Sequence, residues 1–320
     1  MSELRVRVHA RTVLAAGIAG FELRALPGQS LPPFSAGAHI DVWPVEGLVR
    51  QYSLCNDPAE SHRYQIAVLR AADSRGGSIA MHEQVQEGDL LRISPPRNLF
   101  ALQPAPHTLL IAGGIGITPL MAMAHRLEHE AADFELHYCG RQLAGMACVD
   151  ALKAASFADR VHFHVDDSAG LPSFQAEALL SRQPVGTHLY VCGPSGFMDW
   201  VLDTARRLGW PAGQLHREYF ASSAPAGPQA TDESFEVRLA RNGLSCRVAA
   251  GQRVIDVLAA HGVDIPVSCE AGVCGTCLTT VLEGEPDHRD SFLTEEERQT
   301  GRQFTPCCSR ALTPVLVLDL

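Results

Sequence analysis

The sequence predicts a multidomain chain built from three differently folded parts. Residues 1–103 read as an antiparallel β-barrel and residues 104–222 as an α/β parallel sheet. A linker at 223–233 then leads to a smaller, cysteine-bearing part over 234–320. Three observations carry this division. Short alternating runs fill the first part, strand-like and helix-like runs alternate in the second, and four cysteines near the C-terminus are spaced C-x4-C-x2-C-x29-C.

In the first part, Phe21-Glu-Leu-Arg24, His39-Ile-Asp-Val-Trp43, Tyr64 to Leu69 and Leu90 to Ser94 alternate apolar and polar positions between Gly, Pro and Asp. One face of each run seeks a core and the other seeks water, which a small antiparallel barrel satisfies. In the second part, Thr108 to Ala112, Phe134 to Tyr138, Val161 to Val165 and His188 to Val191 are strands separated by helical segments, so the sheet is parallel. The clearest helix is expected from Pro119 to Glu130, with Thr118 as its N-cap and Pro119 at the first helical position. The Ser, Pro, Gly and Ala content of residues 221–233 marks a linker.

Composition fits a soluble intracellular enzyme. Hydrophobic residues are 46% and charged residues 19%, far from disorder. Net charge is −10 without a basic stripe, which argues against nucleic acid. No apolar run reaches membrane-spanning length and the N-terminus lacks a signal-peptide core, so no membrane association and a cytoplasmic location are expected. Cys55, Cys139, Cys148, Cys192 and Cys246 are scattered among apolar segments as reduced core cysteines are.

Cys269, Cys274 and Cys277 open with the spacing of plant-type [2Fe–2S] loops, in which four thiolates hold two irons. Gly272 and Gly275 let backbone N–H groups turn toward the sulfurs. Structural zinc usually takes paired C-x2-C knuckles, and here a single distant thiol closes the set. Cys307 and Cys308 are adjacent, so the residues alone leave the fourth ligand open.

Two glycine-bearing strand–helix turns stand in the second part. Gly113-Gly114-Ile-Gly116-Ile-Thr118-Pro119 directs backbone amides and a helix N-terminus toward a pyrophosphate, and Cys192-Gly193-Pro194 does the same later. In the first part Arg50-Gln-Tyr52-Ser53-Leu54 offers a bidentate cation, an aromatic face and hydroxyls. Arg75-Gly76-Gly77-Ser78 adds a loop with backbone donors.

These motifs, in this order, resemble the ferredoxin–NADP reductase superfamily. With a cysteine domain behind them, the chain is similar over essentially its whole length to the phthalate dioxygenase reductase family. Within that family the vanillate O-demethylase reductases share stretches such as Pro96-Arg-Asn-Leu-Phe100, His216-Arg-Glu-Tyr-Phe220 and Asp287-His-Arg-Asp290. The resemblance implies a β-grasp plant-type ferredoxin domain of α+β class with Cys307 as fourth ligand. It also implies FMN rather than FAD, held by Arg50, Tyr52, Ser53, Leu54, Arg75, Gly76, Gly77 and Ser78. NADH would dock across Gly114, Gly116, Gly193 and Pro194. Thr118 and Cys192 would flank the reacting rings, and Phe220 would be an aromatic shield over the flavin. Hydride transfer needs alignment rather than an acid or base.

The implied function is the reductase component of a two-component Rieske-type aromatic oxygenase or O-demethylase, acting as a monomer. Its acidic surface implies docking to the oxygenase that weakens with salt. The alternatives are a reductase for another monooxygenase, or a flavin and iron–sulfur redox sensor. Asp166 and Asp167 after a strand lean toward NADH, while Arg141 after the preceding strand suits a 2′-phosphate. Cys192 also reads as a small core residue. His125 and His129 read as solvated or capping, and His162 and His164 as facing one side of a strand.

Overall fold

The computed structural model describes residues 3–71, 76–167, 173–220, 232–267 and 269–320. The chain gathers into two compact units, Met1–Glu218 and Tyr219–Leu320.

The first unit opens with six strands: β1 (Leu4–Ala15), β2 (Ile18–Ala25), β3 (His39–Val45), β4 (Leu48–Ser53), β5 (Tyr64–Leu69) and, after helix α1 (Gly77–Glu83), β6 (Leu90–Ile93). All pair antiparallel in the order β4-β3-β6-β1-β2-β5. Alternate residues of these strands turn inward to one core that includes Val6, Val8, Phe21, Leu23, Ile40, Val42, Ile66, Val68, Leu91 and Ile93. Every strand but β4 supplies fully buried side chains, and β4 adds the partly buried Tyr52. A sheet curled on itself gives its strands this shared interior.

The same unit continues with β7 (Thr108–Gly113), α2 (Ile117–His129), β8 (Phe134–Gly140), α3 (Val149–Ala154), β9 (Val161–Val165), α4 (Ala176–Leu180), β10 (His188–Cys192), α5 (Ser195–Arg207) and β11 (Leu215–Glu218). The five strands are parallel in the order β11-β10-β7-β8-β9. β7 is buried along its whole length, as a central parallel strand covered on both faces must be.

Helix α2 does not start where the sequence places it. A 3₁₀ turn at Gly114–Gly116 runs directly into it, and Gly116 is its cap. Thr118 lies inside the first turn and its Oγ1 donates to the Ile115 carbonyl at 3.1 Å, so it caps nothing. Pro119 falls at the third helical position, where a backbone N–H would have no intrahelical acceptor, and its missing donor costs no ladder bond.

The second unit holds β12 (Phe235–Leu239), β13 (Ser245–Val248), α6 (Val254–Ala260), β14 (Thr279–Glu283), β15 (Pro286–Asp287), α7 (Glu295–Thr300), β16 (Gln303–Phe304), β17 (Arg310–Ala311) and β18 (Val315–Leu318). Its sheet runs β13-β12-β18-β14-β16, with β12 and β18 parallel. Val254, Val257 and Leu258 of α6 pack on Phe235, Val237, Val281, Leu316 and Leu318. This is an α+β layer of one helix on a mixed sheet.

Of the segment expected to be a linker, residues 223–231 lie outside the described residues. Its last two residues are held within the second unit. Asp232 pairs with Arg289 at 2.7 Å and with the buried Arg310 at 3.3 Å, and the Glu233 carbonyl accepts from Arg310 at 2.9 Å. Among the described residues no helix is long and apolar enough to cross a membrane.

Candidate redox site and cysteine loop

In parallel sheets, ligands bind outside the carboxyl ends of the strands. At that edge of the first unit the adjacent strands β7, β10 and β11 end in Gly113, Cys192 and Glu218. The turns after β7 and β10 touch backbone to backbone. A Cβ on Gly116 would lie 2.1 Å from the Cys192 carbonyl oxygen, and one on Gly193 would lie 2.9 Å from Gly113 Cα. The N-termini of α2 and α5 therefore start side by side, with Gly116 and Pro194 as caps. Both ends carry the positive end of a helix dipole.

The end of β4 reaches the same edge. Ser53 is buried, and its Oγ donates to Glu218 Oε2 at 3.2 Å across 165 positions of sequence. Cys192 is fully buried and its Sγ donates to the Glu218 carbonyl at 3.3 Å. Ser53, Cys192 and Glu218 thus form one group. The hydroxyl of Tyr52 is buried and has no hydrogen-bond partner among the described residues. Arg50 donates to the Val49 carbonyl at 2.7 Å, and its side chain crosses Gly77 so closely that a Cβ there would sit 2.3 Å from Arg50 Cγ. Only glycine leaves that path open. Gly76, with φ of +89°, caps α1, and Ser78 Oγ accepts from Ala71 N at 3.2 Å.

One candidate residue does not come to this edge. Leu54 is a core residue with no exposed surface, and its N–H donates to the Ala38 carbonyl at 2.9 Å. Arg75 lies outside the described residues. Phe220 belongs to the segment counted with the second unit and is 43% exposed. At the ends of β8 and β9, Asp166 and Asp167 donate their N–H groups to the carbonyls of Gly140 and Arg141, so the acidic and basic candidates occupy one joined turn.

Glu218 is the functional-type residue that the sequence reading passed over, although it lies in the stretch His216 to Phe220. Burial pushes its carboxyl up to about 8, against a smaller lowering by the Ser53 hydroxyl. His39 lies 4.0 Å away and is driven down to about 4 by burial, with Arg97 adding to the effect. Both groups are therefore neutral at pH 7, and the contact is not an ion pair.

A carboxyl raised from 4.5 to about 8 binds a proton in the folded chain that the unfolded chain has released. Stability therefore falls as pH climbs through that window, by up to about 1.4 kcal/mol per unit. Glu218→Gln removes the penalty, so its melting midpoint should gain on the parent between pH 5.5 and 7.5. A difference that stays constant over that range would show that Glu218 is ionised in the fold.

In the second unit, Gly272 and Gly275 take φ of +69° and +64° and turn the loop around its thiols. Amides of Ala271 and Val273 point at Cys269 Sγ at 3.4 and 3.5 Å, and that of Thr276 at Cys274 Sγ at 3.4 Å. Cys269 meets Cys274, and Cys307 meets both Cys277 and Cys308. Cys274 holds Cys269 well above the usual thiol range while being lowered itself to about 6, and Cys277 pushes Cys307 up to about 12. Cys308 meets the Cys307 thiol and also the Thr305 hydroxyl, the latter at 3.3 Å.

A second segment props this loop. Asp290, with a fully buried side chain, accepts from the N–H groups of Phe292 at 3.1 Å and Leu293 at 2.8 Å. Ser291 N donates to the Gly272 carbonyl at 2.9 Å. Helix α7, started by the reciprocal Thr294–Glu297 capping box, aims Arg298 at the Asp290 carbonyl. The sequence reading quoted Asp290 without assigning it this role.

The histidines also correct expectation. His125 packs edge-on against Phe157 at 5.1 Å and is a packing residue, whereas His129 is exposed in the last turn of α2, as expected, and pairs with Asp57 at 3.2 Å. His162 and His164 do share a face of β9, and both stack against His137 of β8.

Residues 237–312 match the family described as 2Fe-2S iron-sulfur cluster binding domain. Residues 91–215 match the N-terminal domain of dimethylamine monooxygenase subunit DmmA-like proteins. A vanillate O-demethylase oxidoreductase from Pseudomonas sp. (strain HR199 / DSM 7063) is 51% identical over 318 residues, spanning 99% of this chain and 100% of its own. The solved structure of phthalate dioxygenase reductase, titled a modular structure for electron transfer from pyridine nucleotides to [2Fe-2S], is 39% identical. Its TM-score is 0.76, and the match covers 100% of this chain and 98% of that one. An intact type IV self-sufficient cytochrome P450 monooxygenase matches at 38% identity and TM-score 0.88 over 99% of this chain, which spans 41% of that longer one. With such identity along its full length and a cluster-binding domain behind a reductase fold, the chain belongs to the phthalate dioxygenase reductase family and is an electron-transfer oxidoreductase.

Proposed function

We propose that the chain is the NADH-dependent reductase component of a two-component, Rieske-type aromatic oxygenase or O-demethylase, a cytoplasmic monomer carrying FMN and one [2Fe–2S] cluster. The observation that carries this reading is the convergence of Ser53 with Cys192 and Glu218 at the carboxyl ends of β10 and β11, while the neighbouring Tyr52 carries a buried hydroxyl without a partner among the described residues. A buried phenol without a partner is costly and suits a polar ligand edge. The Arg50 side chain beside Gly77 suits a flavin phosphate. The two thiol pairs, Cys269 with Cys274 and Cys277 with Cys307, suit the two irons of a cluster.

When bound, the flavin converts a two-electron hydride donor into a source of single electrons for the cluster. The chain's own residues supply position and shielding. Ser53 holds Glu218 in place, and Ser53 and Tyr52 would hydrogen-bond a flavin bound there. Gly114, Gly116, Gly193 and Pro194 bring two helix N-termini to the dinucleotide phosphates. Thr118 and Cys192 would lie beside a bound nicotinamide and flavin, and Phe220 would be an aromatic cover for the flavin. Gly76, Gly77 and Ser78, with Arg75, complete the phosphate loop. Asp166 and Asp167 favour the ribose of NADH over a 2′-phosphate.

The match to a chain that contains a cytochrome P450 supports a second reading, in which the electron acceptor is a haem monooxygenase. Arg50→Ala tests the flavin site directly. Losing charge-assisted hydrogen bonds of about 1.5–3 kcal/mol should weaken flavin retention about 10–100-fold. A variant that keeps its full flavin complement after dialysis would remove Arg50 from the site.

A further inference from the structure

We propose that Glu135, His137 and His162 form a binding site for one divalent transition-metal ion of the zinc type, separate from the redox site and the cysteine loop. The parallel register creates it. His137 of β8 lies directly opposite His162 of β9, and Glu135 is two residues before His137 on the same strand. Period-2 alternation sends all three, with His164, to one face of the sheet. The intervening Leu136, Tyr138 and Val165 face the opposite side and its apolar core.

The three ligand atoms already lie within 4.8 Å of one another, and Glu135 Oε2 stands 3.1 Å from His137 Nε2. Tetrahedral zinc with bonds of about 2.0–2.1 Å holds its ligands about 3.3 Å apart. The contraction needed is small and falls mainly on His162. His137 is buried, and its other nitrogen, Nδ1, meets His164 Nε2 at 2.9 Å. An outer partner on the second ring nitrogen is what orients a metal-binding imidazole. Phe174 closes one side by packing on the rings of His137 and His164 at 6.2 and 5.2 Å. His162 is exposed, which leaves an entry path and a fourth position for water. Arg182 approaches Glu135 at 3.7 Å, but it is 63% exposed and is free to swing away. Two imidazoles and a carboxylate with one open position form the ligand set of zinc sites with three protein ligands and a water, softer than calcium or magnesium prefers.

The site joins the edge strand β9 to its neighbour β8, so the ion would staple the sheet's edge. The test uses untagged protein with flavin and cluster loaded, dialysed against micromolar zinc, with zinc and iron counted in the same sample. One zinc per chain beyond the iron content is expected, bound at least about tenfold more weakly by His162→Ala and by Glu135→Gln. Both substitutions fall on side chains that are not fully buried, so the fold should survive, and unchanged iron content in each would confirm it. Zinc should also raise the parent's melting midpoint and leave that of His162→Ala unmoved. No zinc uptake by the parent would overturn the site, and so would equal uptake by parent and both variants.

Discussion

Cys307→Ser should lose the iron–sulfur cluster and stop delivery of single electrons, while NADH still bleaches the flavin. Cys308→Ser should retain both activities. The largest influence on the Cys307 thiol is Cys277, whereas Cys308 meets Cys307 and the hydroxyl of Thr305. Losing a direct ligand should cost more than the roughly 10–100-fold typical of an outer-shell partner. Iron content and the rate of one-electron transfer to a protein acceptor are the measurements. If Cys308→Ser lost iron and Cys307→Ser kept it, the fourth ligand would be Cys308.

Gly116→Ala should slow hydride transfer from NADH by about 100-fold with flavin content unchanged. A methyl group there would lie 2.1 Å from the Cys192 carbonyl oxygen and 2.6 Å from Gly193 N, both backbone atoms that have no rotamer to yield. The turns bearing the two helix N-termini must then separate. A displacement near 1 Å is enough to cost about two orders of magnitude in an alignment-dependent step. Gly213→Ala, where nothing lies within 4 Å, is the control and should react like the parent. Rapid-mixing kinetics of flavin bleaching read both. A parental rate in Gly116→Ala would mean the two turns do not position nicotinamide.

The parts of the fold that depend on local pattern were legible in the sequence. Alternation from Tyr64 to Leu69 gives β5 with those bounds, and the buried run from Thr108 gives the central strand of the parallel sheet. The spacing of Cys269, Cys274 and Cys277 identifies the cluster-binding domain, because a tight loop fixes which thiols converge. Features that depend on pairing across the chain were not legible. Ser53 meets Glu218 only because the end of β4 reaches the end of β11, and neither segment signals the other. His137, His162 and His164 look like scattered strand positions until the register of β8 and β9 stacks them. The start of α2 was misplaced for a local reason. Pro119 reads as a first helical position, yet a 3₁₀ turn through Gly114–Gly116 extends the helix backward past it. Cys307 and Cys308 are chemically identical neighbours, and only tertiary packing gives their thiols different partners.

The most direct test of the account is an anaerobic titration of the purified protein with NADH, followed by absorbance and low-temperature electron paramagnetic resonance. The account predicts flavin bleaching together with a rhombic signal from a reduced [2Fe–2S] cluster, and little response to equal NADPH. Bleached flavin without a reduced cluster, or no bleaching by either nucleotide, would contradict an electron path from NADH through the flavin to the cysteine loop.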